Sequence, residues 1–273
     1  MIAVPILNKD MTLCISLAGR PSNIGTRFHN HLYDELGLNF IYKAFSTDDI
    51  VGAIAGVRAL GIRGCSVSMP FKEAVIPLVD VVESSAEAIG AVNTIVNDDG
   101  RLIASNTDVE AVASLIASNG LDSSLPVLVQ GSGGMAKAVV AAFRSAGFTD
   151  LTVVARNTVA GPALAEQYGY RHVAVAEPGA AIIVNVTPLG MRGADADVQA
   201  FDDAVLEAAA VVFDVVAFPA ETPLIIAARA AGKRVITGAE VIALQAAAQF
   251  EKYTGVAVTA EQVARASEFS RAE

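Results

Sequence analysis

The residues most open to a chemical reading are Gly131, Gly133 and Ala136, spaced Gly-x-Gly-x-x-Ala between an apolar run over 126–130 and a helical pattern that opens at Met135. In such a spacing the first glycine permits a tight turn and the second lets the backbone approach a pyrophosphate. A small third residue lets helix and strand pack closely. The free N–H groups and positive dipole end of the helix then face the phosphates. The plainer reading is an ordinary strand-to-helix turn in an alanine-rich chain. The strand before it and the helix after it supply the context that dinucleotide binding requires. The tip of the next strand reads Val153-Val154-Ala155-Arg156-Asn157-Thr158 and carries no acid. An NAD site normally holds Asp or Glu there for the ribose 2′-hydroxyl, whereas an arginine suits a 2′-phosphate through a charge-assisted fork. Arg156 therefore favours NADP over NAD, against the plainer reading of a solvated surface arginine.

A loop of this kind needs a sheet to hold it. Apolar strands, small-residue turns and amphipathic helices alternate along the chain, the rhythm of a parallel α/β fold. In the first half the pattern predicts strands over 12–17, 40–44 and 64–67, and helices over 27–36 and 47–60. Ile50, Ile54, Val57 and Leu60 recur in the second helix at helical spacing. Residues 91–104 read as a hairpin turning at Asn97-Asp98-Asp99-Gly100. In the second half, strands are expected over 126–130, 151–155, 181–185, 210–216 and 234–236. Helices are expected over 108–118, 135–146, 160–168, 222–231 and from Glu240 onward. Boundaries near Ser105 and Gly238 give one domain from residues 1–104 plus 239–273 and a dinucleotide domain over 105–238.

Composition narrows the function classes. A chain of 273 residues with 53 % apolar and 18 % charged side chains has ample material for a core. Nineteen Lys+Arg against 29 Asp+Glu leave a net charge of −10, which argues against nucleic acid or an acidic membrane surface as partner. Cys14 and Cys65 form no CxxC pair, and His29, His31 and His172 are too few and scattered for a zinc site, so no metal is expected. No run approaches the ~18 apolar residues of a membrane span, and the first ten residues lack the basic and apolar regions of a signal peptide. A soluble, cytoplasmic protein is expected, as monomer or homodimer.

Further segments carry a resemblance. They are Gly64-x-Ser66-Val67-Ser68-Met69-Pro70-Phe71-Lys72-Glu73, Gly90-Ala91-Val92-Asn93-Thr94-Ile95 and Ser105-Asn106-Thr107-Asp108. With Gly131-Ser132-Gly133-Gly134 come Asn185-x-Thr187-Pro188-Leu189-Gly190-Met191, Pro219-x-x-Thr222-Pro223-Leu224, and Gly238 with Gln245. In order and spacing, over almost the whole chain, the set resembles the shikimate dehydrogenase family. The resemblance implies an N-terminal α/β substrate domain, a Rossmann-type NADP domain and C-terminal helices that return to the first domain. It also implies the family's reaction, in which hydride transfer reversibly reduces 3-dehydroshikimate, or a close cyclic keto acid, to shikimate. That step belongs to the chorismate pathway of aromatic amino acid biosynthesis. A quinate or aminoshikimate dehydrogenase, or a catalytically weak NADP-binding sensor, are the alternatives.

Carried over residue by residue, the resemblance makes Lys72 and Asp108 the catalytic pair. Asn93 and Gln245 would bind ring hydroxyls and Ser68 would meet the substrate carboxylate, with Asn23 donating through its amide, or Ser22, Thr26 or Arg27 shifting in, to complete that contact. The cofactor set becomes Gly131, Ser132, Gly133, Gly134, Met135 and Arg156 with Asn185, Thr187, Met191, Val215 and Gly238. The chemistry suits these types, because reducing a ketone builds negative charge on oxygen, which an ammonium stabilises and protonates while a carboxylate orients it. Without the resemblance, Lys72 reads as a surface lysine and Asp108 as a helix cap.

The departures lie on the substrate side. Where the family has a Ser-x-Ser pair for the carboxylate, this chain has Asn23 and Gly25; a usual asparagine is Ser66, a usual tyrosine is Ala217 and a usual methionine is Val241. The second basic residue that usually follows the Arg156 motif is absent from 159–162. One lost hydrogen bond to a carboxylate is worth ~1.5–3 kcal/mol, so a changed or weakened substrate preference is expected.

Overall fold

The computed structural model describes residues 7–272; residues 1–6 of the stretch read above for a leader lie outside them. The chain divides into two units, one built from the described residues up to Thr107 together with those from Ala243, the other from Asp108–Ile242.

The first unit opens with β1 (Thr12–Ala18), α1 (Ile24–Glu35), β2 (Phe40–Ser46), α2 (Ile50–Ala59) and β3 (Gly64–Val67). It continues with β4 (Val81–Val82), α3 (Ser84–Glu87), β5 (Thr94–Asp98) and β6 (Arg101–Ser105). The strands form a sheet in the order β2-β1-β3-β5-β6-β4. Pairing is parallel from β2 through β3, antiparallel across β3-β5-β6, and parallel again between β6 and β4. The two-residue turn between β5 and β6 has Asp99 at φ 48° and Gly100 at φ 90°. Both values are positive, as the twist-matched hairpin turn demands. Side chains alternate across β1 with the strand's period of two. Ile15 and Leu17 pack with Ile54 and Val57 of α2, while Cys14 faces Phe28, Leu32 and Tyr33 of α1.

The second unit runs α4 (Thr107–Ser118, whose first residue belongs to the first unit), β7 (Val127–Gln130), α5 (Gly134–Ser145), β8 (Leu151–Val154) and α6 (Ala160–Tyr168). Then follow β9 (Arg171–Val173), β10 (Ile182–Asn185), α7 (Asp203–Ala208), β11 (Val211–Asp214), α8 (Pro223–Ala230) and β12 (Arg234–Thr237). All pairings are parallel in the order β12-β11-β10-β7-β8-β9. The strand order reverses between β7 and β10, and in such sheets ligands bind outside the carboxyl ends at that reversal. Every residue of β8, β10 and β11 is buried, as parallel strands covered on both faces require. The chain then enters α9 (Gly238–Thr254) and closes with α10 (Ala260–Arg271). Within the first unit Ala243, Phe250 and Tyr253 of α9 and Val263 and Ala266 of α10 join the core beside α1.

The differences from the expected elements have local causes. Helix α2 starts at Ile50 rather than 47 because Asp49 caps it, its carboxylate accepting from Gly52 N–H at 2.8 Å. Helix α1 starts three residues earlier than periodicity placed it. The C-terminal helix is two helices: Gly255, at φ 73°, ends the first, and a capping box between Thr259 and Gln262 starts the second. The short edge strand β9 carries too few residues for a period to register. Among the described residues, no helix is long and apolar enough to cross a membrane.

Candidate active site

In the second unit the glycine loop follows β7 at the strand-order reversal. Gly131 N–H donates to Val154 O at 2.8 Å, and the residue sits at φ 131°. A β-carbon there would lie 2.7 Å from Val186 Cγ2, so the protein's own packing demands glycine. Gly133 and Gly134 differ: a β-carbon at either would meet nothing within 4 Å. Glycine at these two positions leaves open approach to the N-terminus of α5, which is what a phosphate group needs. A cavity of about 630 Å³ beside the loop is lined by Gly131, Ser132, Arg156, Asn157 and Thr187, among others. Arg156 is exposed at its edge, and the Asn157 carbonyl Oδ1 accepts from Val159 and Ala160 N–H at 3.0 and 2.9 Å, which fixes the turn carrying the arginine. These residues fit a dinucleotide.

Asn185 is fully buried and turned inward. Its Oδ1 accepts from Thr187 N–H at 3.0 Å and Thr187 O–H at 2.6 Å, and its Nδ2 donates to Asp214 Oδ1 at 3.0 Å. Asp214, also fully buried, accepts in addition from Thr222 O–H at 2.6 Å and Val216 N–H at 3.0 Å. Burial raises its carboxyl above the usual range, and the three hydrogen bonds pull it back. Asn185 thus shapes the loop that presents Thr187 to the cavity and does not line the cavity itself. Gly133, Gly134, Met135, Met191, Val215 and Gly238 also lie outside its lining. Val215 N–H donates to Asn185 O at 3.0 Å. The backbone carbonyls of Val215 and Val216 fill the space that a β-carbon at Gly238 would need.

In the first unit the polar residues converge on Asn93, at the foot of β5. Its N–H donates to Ser105 O at 3.1 Å, its carbonyl accepts from Val67 N–H at 2.8 Å, and the adjacent Val92 N–H donates to Lys72 O at 2.8 Å. These bonds hold the segments carrying Ser68 and Lys72 beside Asn93; Ser68 is exposed and Lys72 half-buried. The Asn93 side chain is only 3 % exposed. Its Oδ1 accepts from Thr107 N–H at 2.8 Å, Thr94 O–H at 2.7 Å and Thr107 O–H at 3.1 Å. A backbone N–H only donates, so the atom facing Thr107 N must be the oxygen, which fixes the amide's orientation. The other end, Nδ2, is buried and has no hydrogen-bond partner among the described residues. A buried amide donor left unmade costs on the order of 1–3 kcal/mol, a cost an acceptor on a ligand removes.

Sequence reasoning missed Gln249, which is 3 % exposed on α9. Its Nε2 donates to Thr94 Oγ1 at 3.0 Å, Asn93 O at 3.2 Å and Ser66 Oγ at 3.4 Å. The one signal was its place one helical turn beyond Gln245, which is half-buried. Ser22 and Asn23 are exposed ahead of α1, and the Asn23 side chain does not cap that helix. A β-carbon at Gly25 would lie 3.7 Å from the Tyr42 ring, an ordinary contact, so packing does not require glycine there. Asp108, second residue of α4, is half-buried.

The parallel sheet, its reversal point and the open glycine loop define a Rossmann-type dinucleotide-binding protein with a second α/β unit built around a polar pocket. The chain belongs to the shikimate dehydrogenase family, with residues 23–95 matching the family's substrate-binding domain. It is 55 % identical to a shikimate dehydrogenase-like protein of Haemophilus influenzae over 97 % of this chain and 99 % of that one. A solved shikimate 5-dehydrogenase-like structure, also 55 % identical, superimposes with a TM-score of 0.96 over 98 % of this chain and 100 % of that one. The shikimate 5-dehydrogenase of Thermus thermophilus, solved with NADP(H) and shikimate, is 30 % identical with a TM-score of 0.86, covering 95 % of this chain and all (100 %) of the other.

Proposed function

We propose that this chain reversibly reduces 3-dehydroshikimate, or a closely related cyclic keto acid, to the corresponding alcohol with NADPH. The observation that carries the reading is the Asn93 amide, whose one unpartnered donor is buried and whose acceptor is three times occupied. Such a group binds an oxygen that accepts, a hydroxyl or carbonyl of the ring. It has nothing to offer an ammonium, which weighs against an amino-substituted ring at that position.

When bound, NADPH supplies the hydride to the carbonyl carbon. The Lys72 ammonium stabilises the charge that grows on the carbonyl oxygen and passes it a proton, leaving a neutral amine that regains its proton from water. Asp108 is the second member of the catalytic pair and holds a ring hydroxyl. Asn93 and Gln245 fix the ring through its hydroxyls, while Ser68, Ser22 and Asn23 bind the carboxylate. Gly131, Ser132, Gly133 and Gly134 cradle the pyrophosphate at the start of α5, Arg156 binds the 2′-phosphate, and Thr187 meets the cofactor in the cavity. A relative solved with NADP(H) and shikimate supports the pairing of cofactor and substrate.

Initial rates followed by nicotinamide absorbance, with NADP and NAD each paired against shikimate, quinate and aminoshikimate, test the proposal. Turnover of shikimate with NADP is the expected result. Turnover of quinate alone would move the assignment to the other ring, and NADP binding with no turnover of the three would leave a nicotinamide sensor.

A further inference from the structure

We infer that Gln249 is a positioning residue for the substrate, fixing the Asn93 amide through Thr94. The inference rests on the reading of Asn93 given above. Gln249 stands on α9, far along the chain from Asn93, yet its amide enters the pocket floor and touches β3 and β5 at once. Both ends of the array are fixed by backbone groups that have no choice of role. At one end, the Asn93 carbonyl only accepts, so the Gln249 atom 3.2 Å away must be the nitrogen. At the other end, Thr107 N–H only donates, so the Asn93 atom 2.8 Å away must be the oxygen.

Thr94 lies between them with a single hydroxyl proton. Gln249 Nε2 donates to Thr94 Oγ1 at 3.0 Å, which occupies a lone pair and directs the Thr94 proton to Asn93 Oδ1 at 2.7 Å. Without that donor the Thr94 hydroxyl loses the contact that fixes its rotation and is free to turn its proton toward Thr107 Oγ1, 3.3 Å away. The Asn93 oxygen would then lose its shortest contact. Gln249 also holds the Asn93 backbone carbonyl alongside Val67 N–H. Ser66 adds a third contact from β3, its Oγ accepting from Gln249 Nε2 at 3.4 Å. The result is a chain of donors running from α9 to the one Asn93 proton pair left for the substrate.

Gln249→Met keeps the length of the side chain and removes its hydrogen bonds. Four quantities are read: the shikimate KM and kcat, the NADP Kd, and the side-chain amide resonance of Asn93, assigned by its loss in Asn93→Asp. The expected result is a KM raised about tenfold, as for one neutral hydrogen bond lost, with NADP affinity unchanged and the Asn93 resonance displaced. In an Asn93→Ala background, Gln249→Met should raise KM no further. An equal rise in both backgrounds, or an Asn93 resonance that coincides with the wild type's, overturns the inference. If the wild-type protein turns over no shikimate, the substrate reading fails and the resonance alone decides the positioning. Should Gln249→Met not fold, Thr94→Val breaks the same relay from β5 and carries the same expectations.

Discussion

Acid should weaken this protein through one histidine. His29 is wholly buried in the first unit, stacked on Tyr42 at 4.4 Å between ring centroids, with Phe250 at 6.2 Å and Tyr253 at 5.7 Å. Burial among these rings pushes its pKa down to about 3 from the usual 6.5, with the Gln249 side chain opposing. The unfolded chain therefore takes up a proton near pH 6.5 that the folded protein refuses. Below that pH the unfolded state binds more protons, and folding stability falls as pH falls. At about 1.36 kcal/mol per pH unit, lowering the pH from 6.5 to 5 removes about 2 kcal/mol, and the loss continues toward the folded pKa. His29→Phe keeps an aromatic ring and removes the titration. The chain has no tryptophan, so urea unfolding is followed by tyrosine fluorescence, to which buried Tyr33, Tyr42 and Tyr253 contribute. Contributions common to wild type and variant cancel in the difference. The stability gap between wild type and variant should move by about 2 kcal/mol in the variant's favour between pH 6.5 and 5. A gap that stays constant across that range would refute the reasoning.

Three perturbations probe the proposed reaction. Lys72→Ala should lower kcat by ~10²–10⁴, about 3–5 kcal/mol of barrier, and leave the NADP Kd as it was; an unchanged kcat removes the lysine from the chemistry. Arg156→Ala should weaken NADP about ten- to hundredfold without affecting NAD, and equal losses for both cofactors in a binding titration would take the arginine off the 2′-phosphate. Restoring the family's pair as Asn23→Ser with Gly25→Ser should raise kcat/KM for shikimate by about tenfold or more, because a β-carbon at residue 25 fits at 3.7 Å. A folded variant with unimproved turnover would mean that the carboxylate sits elsewhere.

How much of this was legible in the sequence varied with the range of the interaction responsible. The β7–loop–α5 junction was readable because strand, Gly131 and helix are consecutive. The hairpin was readable because Asp99-Gly100 carries the turn's requirement in two residues. Short-range chemistry also moved boundaries that periodicity misplaced, as when Asp49 claimed the start of α2 and Gly255 divided the last helix. The inward turn of Asn185 was hidden, since its partner Asp214 lies on another strand. Gln249 was hidden more deeply still. A glutamine among alanines on a buried helix announces nothing until β3 and β5 are brought beneath it, and no local pattern encodes a bond to a residue so distant in the chain.

The division of the first unit between both ends of the chain has a consequence for how the protein is made. As the polypeptide leaves the ribosome, the sheet strands and α1 emerge early, with Phe28, Leu32 and Tyr33 ready to pack. The residues that cover them, Phe250 and Tyr253 of α9 and Val263 and Ala266 of α10, emerge only after the entire second unit. At ~5–20 residues per second the interval is roughly ten seconds or more. During it the nascent chain exposes an apolar face, while the second unit, contiguous in sequence, is free to fold. The unit named first in the sequence is thus finished last, and a chaperone that binds exposed aromatic surface would find its target in the N-terminal segment of the ribosome-bound chain.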